Sequence, residues 1–249
     1  FSFYPIEMEK RDERSATIDS MKLSLPGVLV ANSKSQEGKS HYIKYVMYEH
    51  RDRIDYVMAI SKTAFDEGNL VFVPPRFKYT SWPGERTKEY PKGKTKHAVM
   101  NLIEQQLKIP KASRPLAALV IEDEFNSLKD PLIVEIASRP THYNIWLVIA
   151  ANWINRVATD IREGAWQVVL FRIASKKGIE AAYEAYGEDC WDMKKFAERL
   201  NNSTGDYRFL YRNLKGKNKD ECDWRCFKAP AEIPNFVIHP FHQRDDMEE

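Results

Sequence analysis

The sequence predicts an α/β protein with a mostly parallel central sheet and helices on both faces. Three observations predict it. Short apolar runs rich in Val, Ile and Leu recur along the chain, amphipathic segments of helical period lie between them, and the runs are apolar throughout rather than alternating with polar residues. A strand covered on both faces has no polar side to show, so continuous apolar runs separated by helices are what a parallel sheet requires.

Taken in order, strands are expected near residues 25–31, 54–60, 115–122, 144–152 and 166–172, with edge strands at 70–73 and 207–211. Helices of amphipathic period are expected between them, at about 38–50, 96–107, 154–163, 178–186 and 191–201. No internal repeat interrupts this alternation. The segment 74–93 is rich in proline, has no clear period and is too long to be an idle connection, which suggests a functional loop.

At 249 residues, with 43% hydrophobic and 12% aromatic content, the chain can bury one substantial core, and one large domain is expected. The most apolar stretches, 27–31, 116–121 and 145–151, are far shorter than the roughly 20 residues of a spanning helix. Acidic residues Glu7, Glu9, Asp12 and Glu13 break up any signal-like start, so an intracellular protein without membrane insertion is expected. Cys190, Cys222 and Cys226 are too few and too clustered to staple such a chain, which fits a reducing compartment.

The formal charge of +2 offers no global positive field, so any contact with nucleic acid must come from local clusters. One such cluster holds Arg76, Lys78, Arg86, Lys88, Lys92, Lys94 and Lys96 against only Glu85 and Glu89, interleaved with Phe77, Tyr79, Trp82 and Tyr90. These residues are the candidates for sequence-independent contact with nucleic acid, the cations on phosphates and the aromatics stiffening the loop. A second basic cluster lies at 208–219.

The first apolar run leads straight into Ser33, Lys34, Ser35, Gln36, Glu37, Gly38, Lys39 and Ser40, which match the P-loop pattern except that Ser33 stands where its first glycine belongs. The tripeptide Gly38-Lys39-Ser40 is a weak signal by itself. Its context carries it: a strand before and an amphipathic helix after aim backbone N–H groups and the helix dipole at an anion. In this reading the loop cradles the phosphates of ATP, Lys39 reaches the β and γ phosphates, and Ser40 coordinates Mg²⁺. The glycine-poor loop limits close backbone approach, and Glu37 must turn its carboxylate away from the anion.

The run 117–121 ends in three consecutive acids, Glu122, Asp123 and Glu124. Phosphoryl-transfer sites need one carboxylate in the Mg²⁺ shell and a neighbour that polarises the attacking water. Asp123 and Glu124 are the expected pair. The competing frame uses Glu122 and Asp123, and strand alternation alone does not choose between them. The run 144–151 ends at Asn152, a polar tip suited to sensing a terminal phosphate or the lytic water.

Together these elements resemble the FtsK–HerA superfamily of DNA-pumping ATPases, and within it the poxvirus-type genome-packaging ATPases. The resemblance spans about 25–214 and rests on Ser33 to Ser40, on the run 121–128, on Arg139-Pro140-Thr141-His142-Tyr143-Asn144-Ile145 leading to Asn152, and on Ser61-Lys62-Thr63. It implies a P-loop NTPase of the additional-strand, catalytic-glutamate (RecA-like) type, with an N-terminal extension at 1–24, the ATPase domain at 25–214 and a C-terminal appendage at 215–249. It also implies a homo-oligomeric ring, a pentamer or hexamer, threaded by double-stranded DNA and joined to a viral capsid or portal-vertex protein in the host cytoplasm or virion. Such a ring takes an arginine from a neighbouring subunit, for which Arg139 and then Arg162 are the candidates. Asn152 departs from the glutamine these families often carry.

A zinc site from Cys222, Cys226, His239 and His242 is not assigned, since the two histidines are spaced more closely than zinc motifs require.

Overall fold

Five of the expected apolar runs pair side by side, in an order that the chain visits out of sequence. The structure is a computed structural model that describes residues 23–34, 36–66, 68–216 and 224–239. The strands are β1 (Val28–Asn32), β2 (Tyr56–Ser61), β3 (Lys78–Tyr79), β4 (Ala117–Glu122), β5 (Ile145–Ala151), β6 (Gln167–Leu170), β7 (Arg208–Asn213) and β8 (Arg225–Lys228). They form one sheet in the order β3-β2-β4-β5-β1-β6-β7-β8. Pairings from β3 through to β6 are parallel, while β6–β7 and β7–β8 are antiparallel. Because β5 lies between β1 and β4, the strand that ends in acids is two positions from the strand that enters the loop.

β1, β4 and β5 are buried along their whole length, as their unbroken apolar sequence requires. Alternation then sorts their side chains. Ile145, Leu147 and Ile149 join Leu119 and Ile121 on one face; Trp146, Val148 and Ala150 join Ala118 and Val120 on the other. The first face is covered by helices α2 (Lys94–Lys108), α3 (Pro131–Ser138), α4 (Pro140–Tyr143), α5 (Thr159–Glu163), α6 (Lys176–Tyr186) and α7 (Met193–Ser203). The second is covered by α1 (Lys39–Glu49), through Tyr42, Ile43, Val46 and Met47, together with non-helical chain.

Local rules explain the helix starts. Asp130, Ser175 and Asp192 cap α3, α6 and α7 by accepting from the backbone N–H groups of Leu132, Gly178 and Lys195 at 3.0, 3.1 and 2.8 Å. α3 and α4 occupy a stretch to which the sequence reading gave no element. Each begins with proline at its first position, where the missing N–H costs nothing and the fixed φ suits a helix.

Four expectations need correcting. The run 70–73 is no edge strand: Leu70 has φ 46°, Val73 N–H closes a turn onto Leu70 O at 3.0 Å, and Phe72 is buried as a plug stacked on Phe236. Its apolar character reflects burial without a ladder. The helix expected at 154–163 is split into a 3-10 turn, Ile154–Arg156, and the short α5, with Val157 and Ala158 extended between them. Within the expected C-terminal appendage, residues 224–239 are not set apart from the sheet: they supply β8 and then a strap across α1, with Ile238 N–H donating to Phe72 O at 2.9 Å. Finally, Lys78–Tyr79 forms a two-residue strand within the loop expected at 74–93. Most of the N-terminal extension, Ser35, Cys222, His242 and the acidic tail lie outside the described residues.

Candidate active site

The loop after β1 is pinned on both sides by neighbouring strands. Ser33 N–H donates to Ala151 O at 3.3 Å and Lys34 N–H to Arg172 O at 3.4 Å, so the loop sits over the C-terminal ends of β5 and β6. Gln36 has φ 66° and Gly38 has φ 104°. The second value is one that glycine reaches without the strain of a side chain, and it lets α1 begin at Lys39.

Lys39 is only 5% exposed. Its Nζ donates to Asn152 Oδ1 at 2.6 Å, to Ser33 Oγ at 3.2 Å and to Lys34 O at 3.3 Å. Burial pulls its pKa below the ordinary lysine value, and the nearby Asp123, Glu122 and Glu37 carboxylates oppose that shift. A buried ammonium held by three oxygens at a helix start is chemically suited to an anion.

The three acids part company. Glu122, 4% exposed, accepts the hydroxyl of Ser40 on one oxygen and the Asn69 amide at 3.3 Å on the other. Asp123 has φ 51°, which ends the strand and turns its carboxylate to Asn152, accepting that residue's backbone N–H at 3.0 Å and its Nδ2 at 2.8 Å. Glu124 is 1% exposed and accepts Asn126 N–H at 3.1 Å. Of the three acids, the one that Ser40 meets is Glu122. The reason is parity. Ala118, Val120 and Glu122 share the face that α1 covers, and Ser40 lies in the first turn of α1.

Around Glu122 the second strand adds support. Ser61 lies in register with Glu122, its hydroxyl is 3.1 Å from Thr63 Oγ1, and Thr63 in turn accepts from Asn69 Nδ2 at 2.8 Å. Sequence reading singled out Ser61-Lys62-Thr63 but missed Asn69, which no spacing rule ties to an acid so far along the chain. Arg156 was also missed; it follows β5 on the loop edge of the sheet, with its guanidinium 5.0 Å from the Phe125 ring centre.

Neither arginine candidate comes near this constellation within its own chain. Arg139 is exposed and caps the start of α4 ahead of β5, and Arg162 lies in the last turn of α5 ahead of β6, so both lie at the opposite edge of the parallel block. Arg162 is partly buried and donates to Thr159 Oγ1 at 3.1 Å.

The basic segment divides into two kinds of residue. Lys96 has a partner within its own chain: its Nζ lies 2.7 and 3.0 Å from the two carboxylate oxygens of Asp130, which also accepts from Trp82 Nε1 at 3.0 Å. Burial would raise the Asp130 carboxyl, but hydrogen bonds from Lys96, Leu132 and Trp82 outweigh it and hold the group below its ordinary value. Lys78 is half-buried, donating to Asn69 O at 3.4 Å, with its pKa lowered by burial. Arg76 lies over the Phe77 ring. Arg86, Lys88, Lys92 and Lys94 are exposed. Gly93 closes the base of this loop at φ 96°, where an added Cβ would stand 2.4 Å from Pro83 O. Arg86 and Lys92 share a cleft of about 360 Å³ with Trp82 and Asn126, two residues beyond Glu124, which places this loop on the same sheet edge as the acids.

Among the described residues no group of three His, Cys, Asp or Glu side chains is arranged to hold a metal, and no helix is long and apolar enough to cross a membrane. Cys226 donates to Ser203 O at 3.2 Å.

No family model matches the sequence, and no curated protein matches it. Solved structures do match. The genome-packaging NTPase B204 of Sulfolobus turreted icosahedral virus 2 in complex with AMPPCP is 12% identical with a TM-score of 0.58, covering 82% of this chain and 98% of that one. The DNA-packaging ATPase B204 of Sulfolobus turreted icosahedral virus is 14% identical with a TM-score of 0.57, covering 84% of this chain and 100% of that one. The pCW3 conjugation coupling protein TcpA with ATPγS is 12% identical with a TM-score of 0.53, covering 89% of this chain and 62% of that one. With β5 between the loop strand and the acid strand, the chain has the α/β fold of RecA-like P-loop NTPases, in the form those packaging and coupling proteins share.

Proposed function

We propose that this chain is an ATP-hydrolysing motor of the FtsK–HerA superfamily that translocates double-stranded DNA, packaging a viral genome into a preformed capsid. The observation that carries the reading is convergence. Lys39, Ser40, Glu122, Asp123 and Asn152, drawn from three separate parts of the sequence, meet at one end of three adjacent parallel strands. That end, outside the carboxyl ends of the strands, is where open α/β sheets place their ligands.

The roles follow from position. Lys39 neutralises the terminal phosphates, and the N-terminal turn of α1 adds its dipole. Ser40 and Glu122 offer hard oxygen donors of the kind Mg²⁺ takes, so the residues present fit that ion. When bound, Mg²⁺ supplies neutralisation of charge on the phosphate oxygens. Asp123, fixed by both hydrogen bonds from Asn152, is then the carboxylate placed to take a proton from water, and Asn152 links that base to Lys39. This is the Glu122–Asp123 frame; Glu124, bonded to the next turn of chain, holds the loop that carries it. Arg139 or Arg162 would act only on a neighbouring subunit of a ring, where such a residue contributes about 10³ to 10⁵ in rate. Arg86, Lys88, Lys92 and Lys94 would meet the DNA backbone, and a capsid or portal-vertex protein would anchor the ring in the host cytoplasm or virion.

ATP turnover with and without double-stranded DNA tests the proposal. DNA-stimulated hydrolysis, lost in Lys39→Ala and in Asp123→Asn, supports it. Because the loop holds a single glycine, the competing reading is a nucleotide-dependent scaffold at a capsid vertex. ATP binding with no turnover under any condition would favour that reading.

A further inference from the structure

Tyr207 stands just before β7 in a turn whose three residues all have positive φ: Gly205 at 119°, Asp206 at 49° and Tyr207 at 63°. For a bulky aromatic the left-handed region is strained, and such strain persists only where neighbouring structure enforces it. Here the backbone is pinned, with Arg208 N–H on Gly205 O at 2.8 Å and Ala229 N–H on Tyr207 O at 3.1 Å. Burial of the ring does not offset the strain, because Tyr207 remains 50% exposed.

The ring faces the loop. A Cβ built on Gly38 would lie 3.3 Å from Tyr207 Cδ1, and the ring centre is 5.1 Å from that of His41, the residue after Ser40. His41 is itself fixed, its Nε2 lying 2.6 Å from Pro230 O. An exposed aromatic is thus held against the loop glycine and the first turn of α1, tilted 52° to the His41 ring.

Strand order gives this placement its meaning. Along the edge of the sheet the acids of β4 lie two positions to one side of β1, and Tyr207 lies two positions to the other. Two strand spacings amount to about 10 Å. A triphosphate with its terminal end at Lys39, Ser40 and Glu122 must carry its nucleoside away from the acids, over α1 toward β6 and β7. We propose that Tyr207 is the platform on which the base of the bound nucleoside triphosphate stacks. This rests on the nucleotide reading of the loop and adds to it where the nucleoside end goes. Stacking uses the π face that every base offers, which suits an aromatic presented without a pocket of its own.

The test compares binding of ATP with binding of inorganic tripolyphosphate, which has no base, in the full chain and in Tyr207→Ala, Tyr207→Phe, Tyr207→Gly and Lys39→Ala. Tyr207→Ala and Tyr207→Gly are expected to weaken ATP about tenfold, with Tyr207→Phe within about twofold of the parent and tripolyphosphate unchanged in all three. Tyr207→Gly also relieves the positive φ, so its melting temperature should equal or exceed that of the parent, which separates lost binding from lost folding. If Tyr207→Ala and Tyr207→Gly bind ATP like the parent while Lys39→Ala does not, or if they lose ATP and tripolyphosphate equally, the stacking role is overturned and the nucleotide site stands. Failure of the parent chain to bind either compound overturns the nucleotide reading itself.

Discussion

Lys39 and Asn152, 113 positions apart, share a hydrogen bond of 2.6 Å, and the same amide donates to Asp123 at 2.8 Å. One neutral side chain thereby separates an ammonium from a carboxylate that would otherwise collapse onto it. Both charges are kept oriented, and each retains capacity for a further partner.

Replacing Asn152 with leucine keeps its branched shape and removes both side-chain bonds. Lys39 is left with two longer contacts and Asp123 loses its side-chain donor, so stability should fall by about 1 to 3 kcal/mol. Turnover should fall roughly ten- to hundredfold, because the base loses its orientation. Thermal melting and steady-state hydrolysis check the two effects separately.

Glu122 and Asp123 should separate by metal dependence. Glu122→Gln should raise the Mg²⁺ concentration needed for half-maximal turnover, since it removes charge beside Ser40. Asp123→Asn should lower turnover by at least about a hundredfold with little change in that concentration. A Mg²⁺ titration of each variant reads the difference; if Asp123→Asn instead raises the Mg²⁺ requirement and Glu124→Gln, not Glu122→Gln, loses turnover, the frame that uses Asp123 and Glu124 is restored.

Asp130 should govern acid stability around α3. Its carboxyl is held below its ordinary value of 3.8, so its contribution is fully present above that value and is lost as pH falls through the lower folded value. Asp130→Asn removes the charge met by Lys96. The gap in melting temperature between parent and variant should therefore be constant above about pH 5 and narrow steadily below pH 4. Asp130→Ala should cost about 2 to 3 kcal/mol at neutral pH, since it also removes a helix cap.

Neutralising Arg86, Lys88, Lys92 and Lys94 together should weaken DNA binding and lower the slope of affinity against salt by about one for each lost phosphate contact. Hydrolysis without DNA should be unaffected. Lys96→Ala should instead lower the melting temperature, because its partner is Asp130. Binding isotherms at several salt concentrations, set beside thermal melts, distinguish the two classes of lysine.

Much of this was legible from particular residues. The continuous apolar runs ending at Asn32, Glu122 and Asn152 gave the strands, because burial on both faces leaves no other composition open to them. Which acid meets Ser40 was not legible, since alternation assigns parity but does not say which face α1 will cover. Lys96 and Lys92 look alike in sequence; only the fold brings Asp130 to one of them. Leu70 and Phe72 have the composition of a strand, yet their burial comes from a turn packed against the C-terminal strap, a contact that no local pattern encodes.

The sheet ends in a two-residue strand, β3, at one margin and in the four-residue β8, with Arg225 and Lys228 at its ends, at the other. Brevity at one border and cationic ends at the other discourage a second copy from adding its strands in line. In the proposed ring, copies built this way would meet through helices and loops, leaving each sheet self-contained, so that neighbours could slide or tilt without breaking backbone ladders.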